Sequence, residues 1–422
     1  MTDTIIDTTS FIAKLTAGRN AARVLAQATT AQKNTALEAI ADAIVRNETR
    51  ILEANQLDLA NGRENGLAEG MLDRLRLDEK RLAALAGAVL EIVALPDPIG
   101  DVVRGSTLAN GLHLTQVRVP FGVVGAVYEA RPNVTIDIAV LALKSGNAAV
   151  LRGGSAAQNT NRVLVDVIQS ALYETGVPVE AVQTIDEFGR DGAKQLMRAR
   201  GLVDVLIPRG SADLINSVVA ESTVPVIETG AGVVHIFLDE SADLGHAVEI
   251  VHNAKVQRPS VCNALETLLV HAASAQRLLP PVLARLREAG VTIHADDRVR
   301  ALFADAVPAT DDDWSAEYMS LDLAVAVVDD LDGALDHIRR YSTQHTESII
   351  TNDLGNAERF LAEVDSAVVI VNASTRFTDG GEFGFGAEVG ISTQKLHARG
   401  PMGLPELTST KWVVRGSGQV RG

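Results

Sequence analysis

Apolar residues in the first hundred positions recur at steps of three and four, which is the spacing of one face of a helix. Between residues 30 and 59 the pattern consists of Leu37, Ile40, Ala41, Ile44, Val45, Ile51 and Leu52. A second run of the same kind covers residues 75–95 and stops at Pro96 and Pro98, because proline cannot continue a helix. We therefore predict that the first hundred residues are helical.

The period of the pattern changes after residue 101. Residues 102–119 alternate between apolar and polar side chains around Asn110-Gly111, a dipeptide typical of hairpin turns. From Gly122 onward, short Val- and Ile-rich runs alternate with helical ones, as in a parallel α/β sheet. The predicted strands are 122–128, 148–151, 182–185, 203–207 and 224–227, and the predicted helices are 134–144, 156–174, 190–200 and 211–221.

A second α/β series follows from residue 234. Its predicted strands are 234–238, 265–270, 291–294, 323–328, 347–350 and 368–371, and its predicted helices are 242–255, 274–289, 331–341 and 354–363. The tail from Leu407, which contains Trp412-Val413-Val414, is predicted to be one further extended segment. The pattern thus predicts two α/β domains and a protruding hairpin.

Charge and composition argue against several classes of function. A net charge of −16 over 422 residues disfavours a nucleic-acid partner, because Lys and Arg bind phosphate backbones. An anionic substrate would need a local basic pocket. The single cysteine excludes an intramolecular disulfide, and the nine histidines lack metal-ligand spacing. No apolar run approaches the ~18–20 residues of a membrane helix, and no secretory signal is visible, so we expect a cytoplasmic protein without metal or membrane.

The usual glycine-rich nucleotide motifs are absent from the sequence. The nearest match to G-x-G-x-x-G, at Gly230-Ala231-Gly232, lacks the third glycine and leads into a predicted strand. No G-x-x-x-x-G-K-[ST] phosphate loop occurs either. A nucleotide cofactor would therefore have to be held in another way.

The only cysteine, Cys262, lies in the segment QRPSVCNALET. A free cysteine most often behaves as a small buried hydrophobic residue. Here Lys255 and Arg258 precede it, and nearby cations favour the thiolate, which is the reactive form. Pro259-Ser260 interrupts the helix that is predicted to end near Lys255, which places the thiol in a turn. These surroundings favour a nucleophile.

Several segments occur in an order that resembles the aldehyde dehydrogenase superfamily: PFGVVGA at 120–126, Pro132-Asn133, VLR at 150–152, ETG at 228–230 and then Cys262. Cys262 follows Glu228 by 34 residues, the spacing that this superfamily keeps between its glutamate and its nucleophilic cysteine. The segments YEARPNVT and VQRPSVCNALET are more specific. They resemble the branch that reduces L-glutamyl 5-phosphate to L-glutamate 5-semialdehyde in proline biosynthesis, and the resemblance spans nearly the whole chain.

The resemblance implies an aldehyde-dehydrogenase-like α/β fold with two parallel-sheet domains and a β-hairpin oligomerisation arm. Residues 1–100 and 121–229 would form the NADP-binding domain, and residues 230–400 the catalytic domain that carries the nucleophile. Residues 101–120 and 401–422 would form the arm and tail of a homodimer or tetramer, in which edge strands pair between subunits.

The reaction that the resemblance implies is the NADPH-dependent reduction of an acyl phosphate through a thioester on Cys262. Asn133 and the backbone N–H of Cys262 would stabilise the oxyanion. Glu228 matches the superfamily's general base, although its ETGAG setting departs from the common ELGGK. A reductase gains nothing from a base that activates water, because water would destroy the thioester. Glu228 could therefore have a catalytic role, a structural role or a role as a cofactor contact.

The same resemblance implies a set of cofactor contacts. Arg152 stands in place of the superfamily's strand-end lysine, and residues 151–162 contain no acid. Arg152 and Ser155 could together bind a 2′-phosphate, which favours NADPH over NADH. A turn before a helix would hold the pyrophosphate, and a glutamate would hold a ribose. The implied residues are Arg152, Gly153, Ser155, Pro208, Arg209, Gly210, Ser211 and Glu317.

The anionic groups of L-glutamyl 5-phosphate would be bound by Arg131, Lys255 and Arg258, because arginine pairs bidentately with phosphate and carboxylate. Glutamate 5-kinase is a possible functional partner.

Two other interpretations of the function stay open. The first is a hydrolytic NAD(P)-dependent aldehyde dehydrogenase, which would need a water path at Glu228. The second is a non-catalytic dinucleotide-binding or scaffold protein that keeps the fold.

Overall fold

Helices make up the N-terminal part of the computed structural model, which describes residues 8–421; residues 1–7 and 422, at the ends of the predicted domain and tail, lie outside it. The helices are α1 (Thr8–Leu25), α2 (Thr30–Arg46), α3 (Glu48–Glu64), α4 (Glu69–Leu75) and α5 (Glu79–Ala94). The helical prediction is confirmed with one correction, because the run over 30–59 is divided. Asn47, with φ −105° and ψ 17°, ends α2 and precedes α3.

The chain divides into two compact units. Unit 1 contains the residues up to Glu228, the segment 384–390 and the residues from 402 onward, and unit 2 contains 229–383 and 391–401. After the N-terminal helices, unit 1 continues with β1 (Val102–Thr107), β2 (His113–Pro120), β3 (Val123–Tyr128), α6 (Pro132–Lys144), β4 (Ala148–Arg152), α7 (Gln158–Thr175), β5 (Val182–Thr184), α8 (Gly189–Met197), β6 (Val205–Arg209) and α9 (Ala212–Glu221).

The central sheet of unit 1 is parallel, with strand order β5-β4-β3-β6. Every residue of β3 is buried, as expected of a parallel strand that is covered on both faces. The predicted strand 224–227 is wrong, because this segment forms only an isolated bridge between Val226 and Leu206. Pro225 lies in its middle and has no N–H with which to extend a ladder.

Unit 2 is built on a larger sheet. Its elements are β7 (Val234–Leu238), α10 (Leu244–Val256), β8 (Leu265–His271), α11 (Ala272–Glu288), β9 (Thr292–Ala295), α12 (Asp297–Arg300), β10 (Val307–Pro308), β11 (Asp322–Val328), α13 (Leu331–Tyr341), β12 (Thr346–Ile350), α14 (Leu354–Glu363), β13 (Val368–Val371), β14 (Ile391–Ser392) and β15 (Gly400–Pro401). The sheet order is β10-β9-β11-β8-β7-β12-β13, and all pairs are parallel. The predicted α/β class is confirmed.

The predicted hairpin forms a separate antiparallel sheet with the tail, in the order β1-β2-β16. Strand β16 (Thr408–Arg415) pairs along its whole length with β2, from Thr408 opposite Pro120 to Arg415 opposite His113. Both β1 and β16 are edge strands, and both carry exposed apolar side chains, among them Val102, Trp412 and Val414. The tail is therefore extended, as predicted.

Among residues 8–421, no helix is both long enough and apolar enough to span a bilayer. The same residues contain no group of three or more His, Cys, Asp and Glu side chains that could hold a metal ion.

Candidate active site

Cys262 lies in unit 2, in the loop between the end of α10 at Val256 and the start of β8 at Leu265, and its side chain is partly buried. The next residue anchors this loop: Asn263 Nδ2 donates to the carbonyl of Thr378 at 2.7 Å, and its own carbonyl accepts from Thr375 Oγ1 at 2.8 Å. Segments more than a hundred residues away in sequence therefore hold the thiol in place.

Gly232 lies against the same loop. A Cβ atom placed on Gly232 would lie 1.6 Å from the carbonyl oxygen of Cys262, so no other residue fits without displacing the loop. The N–H of Gly232 donates to Glu317 Oε1 at 2.8 Å. Gly232, which is not part of a complete nucleotide-binding motif, thus allows its own backbone to lie close to the backbone of Cys262.

Arg376, which sequence reasoning missed, is bound to both sides of the cysteine loop. Its Nε donates to Gln257 Oε1 at 2.9 Å, and its Nη1 donates to Asn263 Oδ1. Burial lowers the pKa of Arg376, and Asp379 and the Cys262 thiolate oppose this shift while Arg258 adds to it. Arg376 therefore lies within electrostatic reach of both the thiol and Arg258, although it is 114 residues from Cys262 in sequence.

The structure corrects the expectation that Lys255 meets the substrate. Its side chain is 0% exposed, and its Nζ lies 2.6 Å from Oε2 of Glu266, which is equally buried. Burial lowers the pKa of Lys255 while Glu266 opposes the shift, and burial raises the pKa of Glu266. Lys255 is a core residue because its charge is paired inside the fold. The one signal for its partner was the position of Glu266 in the buried, largely apolar strand β8.

Glu317, the predicted ribose-binding residue, belongs to the same network. Its carboxylate accepts from the N–H of Gly232. Two residues further on, the N–H of Met319 donates to Glu266 Oε1 at 3.2 Å. Met319 has φ +54°, an uncommon conformation for a residue with a side chain. Burial raises the pKa of Glu317. The Lys255–Glu266 pair therefore supports the backbone that presents Glu317.

In unit 1, Asn133 lies in the first turn of α6 and is exposed. Its Nδ2 donates to Asp137 Oδ2 at 3.0 Å, four residues along the helix. Burial raises the pKa of Asp137 to about 6, against the effects of Asn133 and Arg209. Sequence reasoning missed Asp137, although the i,i+4 spacing was visible. Arg131 precedes the helix, and its N–H donates to the carbonyl of Glu129 at 2.7 Å.

The structure brings three predicted cofactor residues together in unit 1. Arg152, Gly153 and Ser155 line a cavity of about 200 Å³ together with Gln158, Asp186, Glu187 and Gly189. Asp186 Oδ1 accepts from the N–H of Gly153 at 2.7 Å. Arg152 Nε is buried and has no hydrogen-bond partner among residues 8–421. A bound polar ligand can satisfy an unpaired buried polar atom of a residue that lines a cavity, so these residues fit a nucleotide.

The electrostatics of this cavity are mixed. Burial lowers the pKa of Arg152, Asp186 opposes the shift and Arg190 adds to it. Burial raises the pKa of Asp186. Residues 151–162 contain no acid, but the fold adds Asp186 and Glu187 to the cavity from the segment after β5.

The turn Pro208–Ser211 ends β6 and starts α9, as a pyrophosphate seat requires. Ser211 caps α9, accepting from the N–H of Leu214 at 3.4 Å. However, both donors of Ser211 in this turn are bound to Glu129: its Oε2 accepts from the Ser211 N–H at 3.0 Å and its Oε1 from the Ser211 hydroxyl at 2.7 Å. Gly210 packs against the same carboxylate. A pyrophosphate at this position would have to displace Glu129.

Glu228 is the last residue of the long N-terminal segment of unit 1 and is partly buried. Its role stays a prediction. Arg258 is exposed on the cysteine loop of unit 2, where an anion can reach it.

Comparison with known proteins gives consistent results. Residues 6–301 match the sequence profile of the aldehyde dehydrogenase family. A gamma-glutamyl phosphate reductase of Leifsonia xyli subsp. xyli is 68% identical over 413 residues, which cover 98% of both chains. One from Clavibacter michiganensis subsp. michiganensis is 69% identical over 408 residues, covering 97% of this chain and 94% of that protein.

Solved structures point in the same direction. The crystal structure of gamma-glutamyl phosphate reductase from Thermotoga maritima has a TM-score of 0.95 and 48% identity, and the match covers 98% of this chain and 100% of that one. An acetylating aldehyde dehydrogenase from Geobacillus thermoglucosidasius has a TM-score of 0.72 at 17% identity, covering 98% of each chain. At that identity the second likeness concerns the fold alone.

Proposed function

The chain belongs to the aldehyde dehydrogenase family, and from this premise we propose that it reduces L-glutamyl 5-phosphate to L-glutamate 5-semialdehyde and phosphate, a step in making proline from glutamate. The observation that carries the proposal is the 68% identity, over 98% of both chains, to a protein named gamma-glutamyl phosphate reductase. The chain is thus an oxidoreductase that acts on a small molecule with a nicotinamide cofactor.

Cys262 is the nucleophile of the proposed reaction. Its thiolate attacks the acyl carbon, a C–S bond forms, and the C–O bond to phosphate breaks, leaving a thioester. The nicotinamide cofactor, when bound, supplies the hydride. The resulting thiohemiacetal anion expels the thiolate and releases the aldehyde. Charge develops on the acyl oxygen in both addition steps, and Asn133 and the N–H of Cys262 are the proposed donors to it.

NADPH is the proposed cofactor. Arg152 and Ser155 line one cavity, and Arg190 lies within electrostatic reach of Arg152, which supports binding of a 2′-phosphate. We propose that the remaining cofactor contacts come from the Pro208–Ser211 turn and Glu317. Arg152→Glu should weaken binding of NADPH more than that of NADH in a direct titration. Equal catalytic efficiency of the unaltered enzyme with both cofactors would reject the preference.

Three further features belong to the proposal. The β1-β2-β16 sheet has two open edges with exposed apolar residues, which supports a homodimer or tetramer that pairs these strands. Sedimentation of the unaltered protein and of Trp412→Glu would measure the oligomeric state, and we expect the variant to be smaller. Because acyl phosphates hydrolyse in water, glutamate 5-kinase is the proposed supplier of substrate. Both enzymes would then work in the cytoplasm.

Running the reaction backwards tests the whole proposal. With L-glutamate 5-semialdehyde and NADP, an acyl thioester forms on Cys262, and phosphate must release it. Cofactor reduction should therefore increase with phosphate concentration and saturate, while Cys262→Ala should be folded and inactive. Full turnover without phosphate, with free glutamate as product, would instead identify a hydrolytic dehydrogenase that uses a glutamate base.

A further inference from the structure

The contacts of Arg376 with the cysteine loop point to a role that the sequence did not suggest. We propose that Arg376 is a catalytic residue that binds the phosphate group of the acyl phosphate next to Cys262, together with Arg258. This inference rests on the proposed function, since only an acyl phosphate substrate brings phosphate to the thiol.

The guanidinium of Arg376 is fixed relative to the thiol. Gln257 and Asn263, its two hydrogen-bond partners, bracket the loop that contains Cys262. Asn263 is itself anchored to Thr375 and Thr378 on either side of the arginine. Arg376 cannot move away from the loop without breaking these contacts, and a fixed donor costs little reorganisation when charge develops.

The bonds to Gln257 and Asn263 use only part of the donor set of the guanidinium, which has five N–H groups. The Arg376 side chain is partly exposed, whereas Lys255 is fully buried and paired. A ligand at the loop can therefore reach Arg376 and Arg258 but not Lys255. The two arginines supply the local positive charge that an anionic substrate needs in a chain of net charge −16.

Reaction chemistry decides which anionic group of the substrate Arg376 binds. The phosphate oxygen is bonded to the carbon that Sγ attacks, so the phosphate must lie next to the thiol when the C–O bond breaks. The α-carboxylate lies at the other end of the carbon chain. As the bond breaks, negative charge accumulates on the leaving phosphate, and a bidentate guanidinium stabilises that charge.

The reverse reaction separates the two possibilities, because phosphate and aldehyde are then independent substrates with separate KM values. We expect Arg376→Gln to raise the KM for phosphate by about 10- to 100-fold, in line with the strength of hydrogen bonds to charged groups, and to leave the KM for aldehyde within about two-fold. Arg376→Lys should fall between, since lysine keeps the charge but loses the fork. Arg359→Gln, in an exposed ion pair with Asp332 and Glu363, is the matched control.

Folding and proximity need separate measurements. Arg376→Ala should regain turnover when guanidinium is added, which a merely misfolded variant would not do. Alkylation of Cys262 by iodoacetamide should shift to higher pH in Arg376→Gln, because a cation near the thiolate is lost.

Each other outcome has a definite meaning. A raised KM for the aldehyde alone would assign Arg376 to the α-carboxylate and overturn the proposal. Unchanged KM values with a lower melting temperature would make Arg376 a structural residue and overturn it as well. If the unaltered enzyme needs no phosphate, the proposed function fails, whatever Arg376 does.

Discussion

Asn133 and Cys262, the two residues proposed to take part in the chemistry, each lie within three residues of a proline. Different contacts hold the two residues in place. Asn133 lies in the first turn of a helix, and its partner Asp137 is four residues further along that helix. Cys262 lies in a loop without regular structure, and the residues that hold it are Gly232 and residues of the segment 375–378.

This difference indicates how substitutions in each segment should affect folding and chemistry. A side chain on a helix keeps its position as long as the helix forms, because the backbone hydrogen bonds define the geometry. A loop residue keeps its position only while its distant contacts exist. We therefore expect substitutions at Asn133 to affect chemistry alone, whereas substitutions around Cys262 should affect folding and chemistry together.

The largest expected effect is on the buried pair beneath the cysteine loop. Lys255→Met leaves Glu266 as an uncompensated buried charge, and we expect the free energy of unfolding to fall by about 3–5 kcal/mol. Urea denaturation measures this. Arg46→Met, which breaks the exposed pair with Glu174, should cost no more than about 1 kcal/mol. A similar small loss in Lys255→Met would mean that distant contacts do not support the loop.

The second effect is on the helix-borne residue. Asn133→Ala should lower turnover by about 100- to 1000-fold, as expected for the loss of one oxyanion donor. The melting temperature should barely change, because Asn133 is exposed. Steady-state kinetics and thermal unfolding of the same preparation give both values. A large loss of stability with little loss of turnover would reverse the contrast between the two segments.

The third effect concerns the close approach at Gly232. Gly232→Ala forces a Cβ into the carbonyl of Cys262, and a displacement of about 1 Å at the nucleophile should cost roughly 100-fold in turnover. Gly333→Ala is the control, because its Cβ would lie 3.4 Å from Val328, an ordinary contact. Steady-state kinetics give the turnover of both variants. Equal turnover would show that the cysteine loop adapts to the added Cβ without loss of activity.

The smallest effect is the response of stability to acid. Burial lowers the pKa of His337 to about 3 and that of His345 to about 4, from 6.5. Their contribution is therefore present above pH 6.5 and is lost as the pH falls from 6.5 towards 4. At about 1.4 kcal/mol for each pH unit and group, each of the two histidines should lower the free energy of unfolding by about 2 kcal/mol at pH 5. Urea denaturation of His345→Leu should show a weaker pH dependence.

Asp137 should act in the opposite direction to these histidines. Because its pKa in the folded state is raised to about 6 from 3.8, protonation favours folding as the pH falls from 6 to 3.8. The histidines lie in unit 2 and Asp137 in unit 1. Urea denaturation of Asp137→Asn from pH 7 to 5 should therefore show a larger acid loss than the unaltered protein.

Most of the regular elements could be predicted from the sequence, and the exceptions have local causes. Asn47 divides the helical run over 30–59, and Pro225 removes the donor that a strand at 224–227 would need. The functional residues were predicted less evenly. Cys262 and Arg152 stood out through the motifs that surround them, but Arg376 and Glu266 did not, because neither lies in a motif.

The sequence by itself determined the alternation of strands and helices, the hairpin at Asn110-Gly111 and the turn that carries Cys262. These features depend on periodicity and on neighbouring residues, whose energies act over a few positions. Only the tertiary structure decided that Lys255 is paired inside the core and that Arg376, 113 residues after Asn263, contacts the cysteine loop. A buried charge must find a partner wherever the fold supplies one, and the order of residues along the chain does not name that partner.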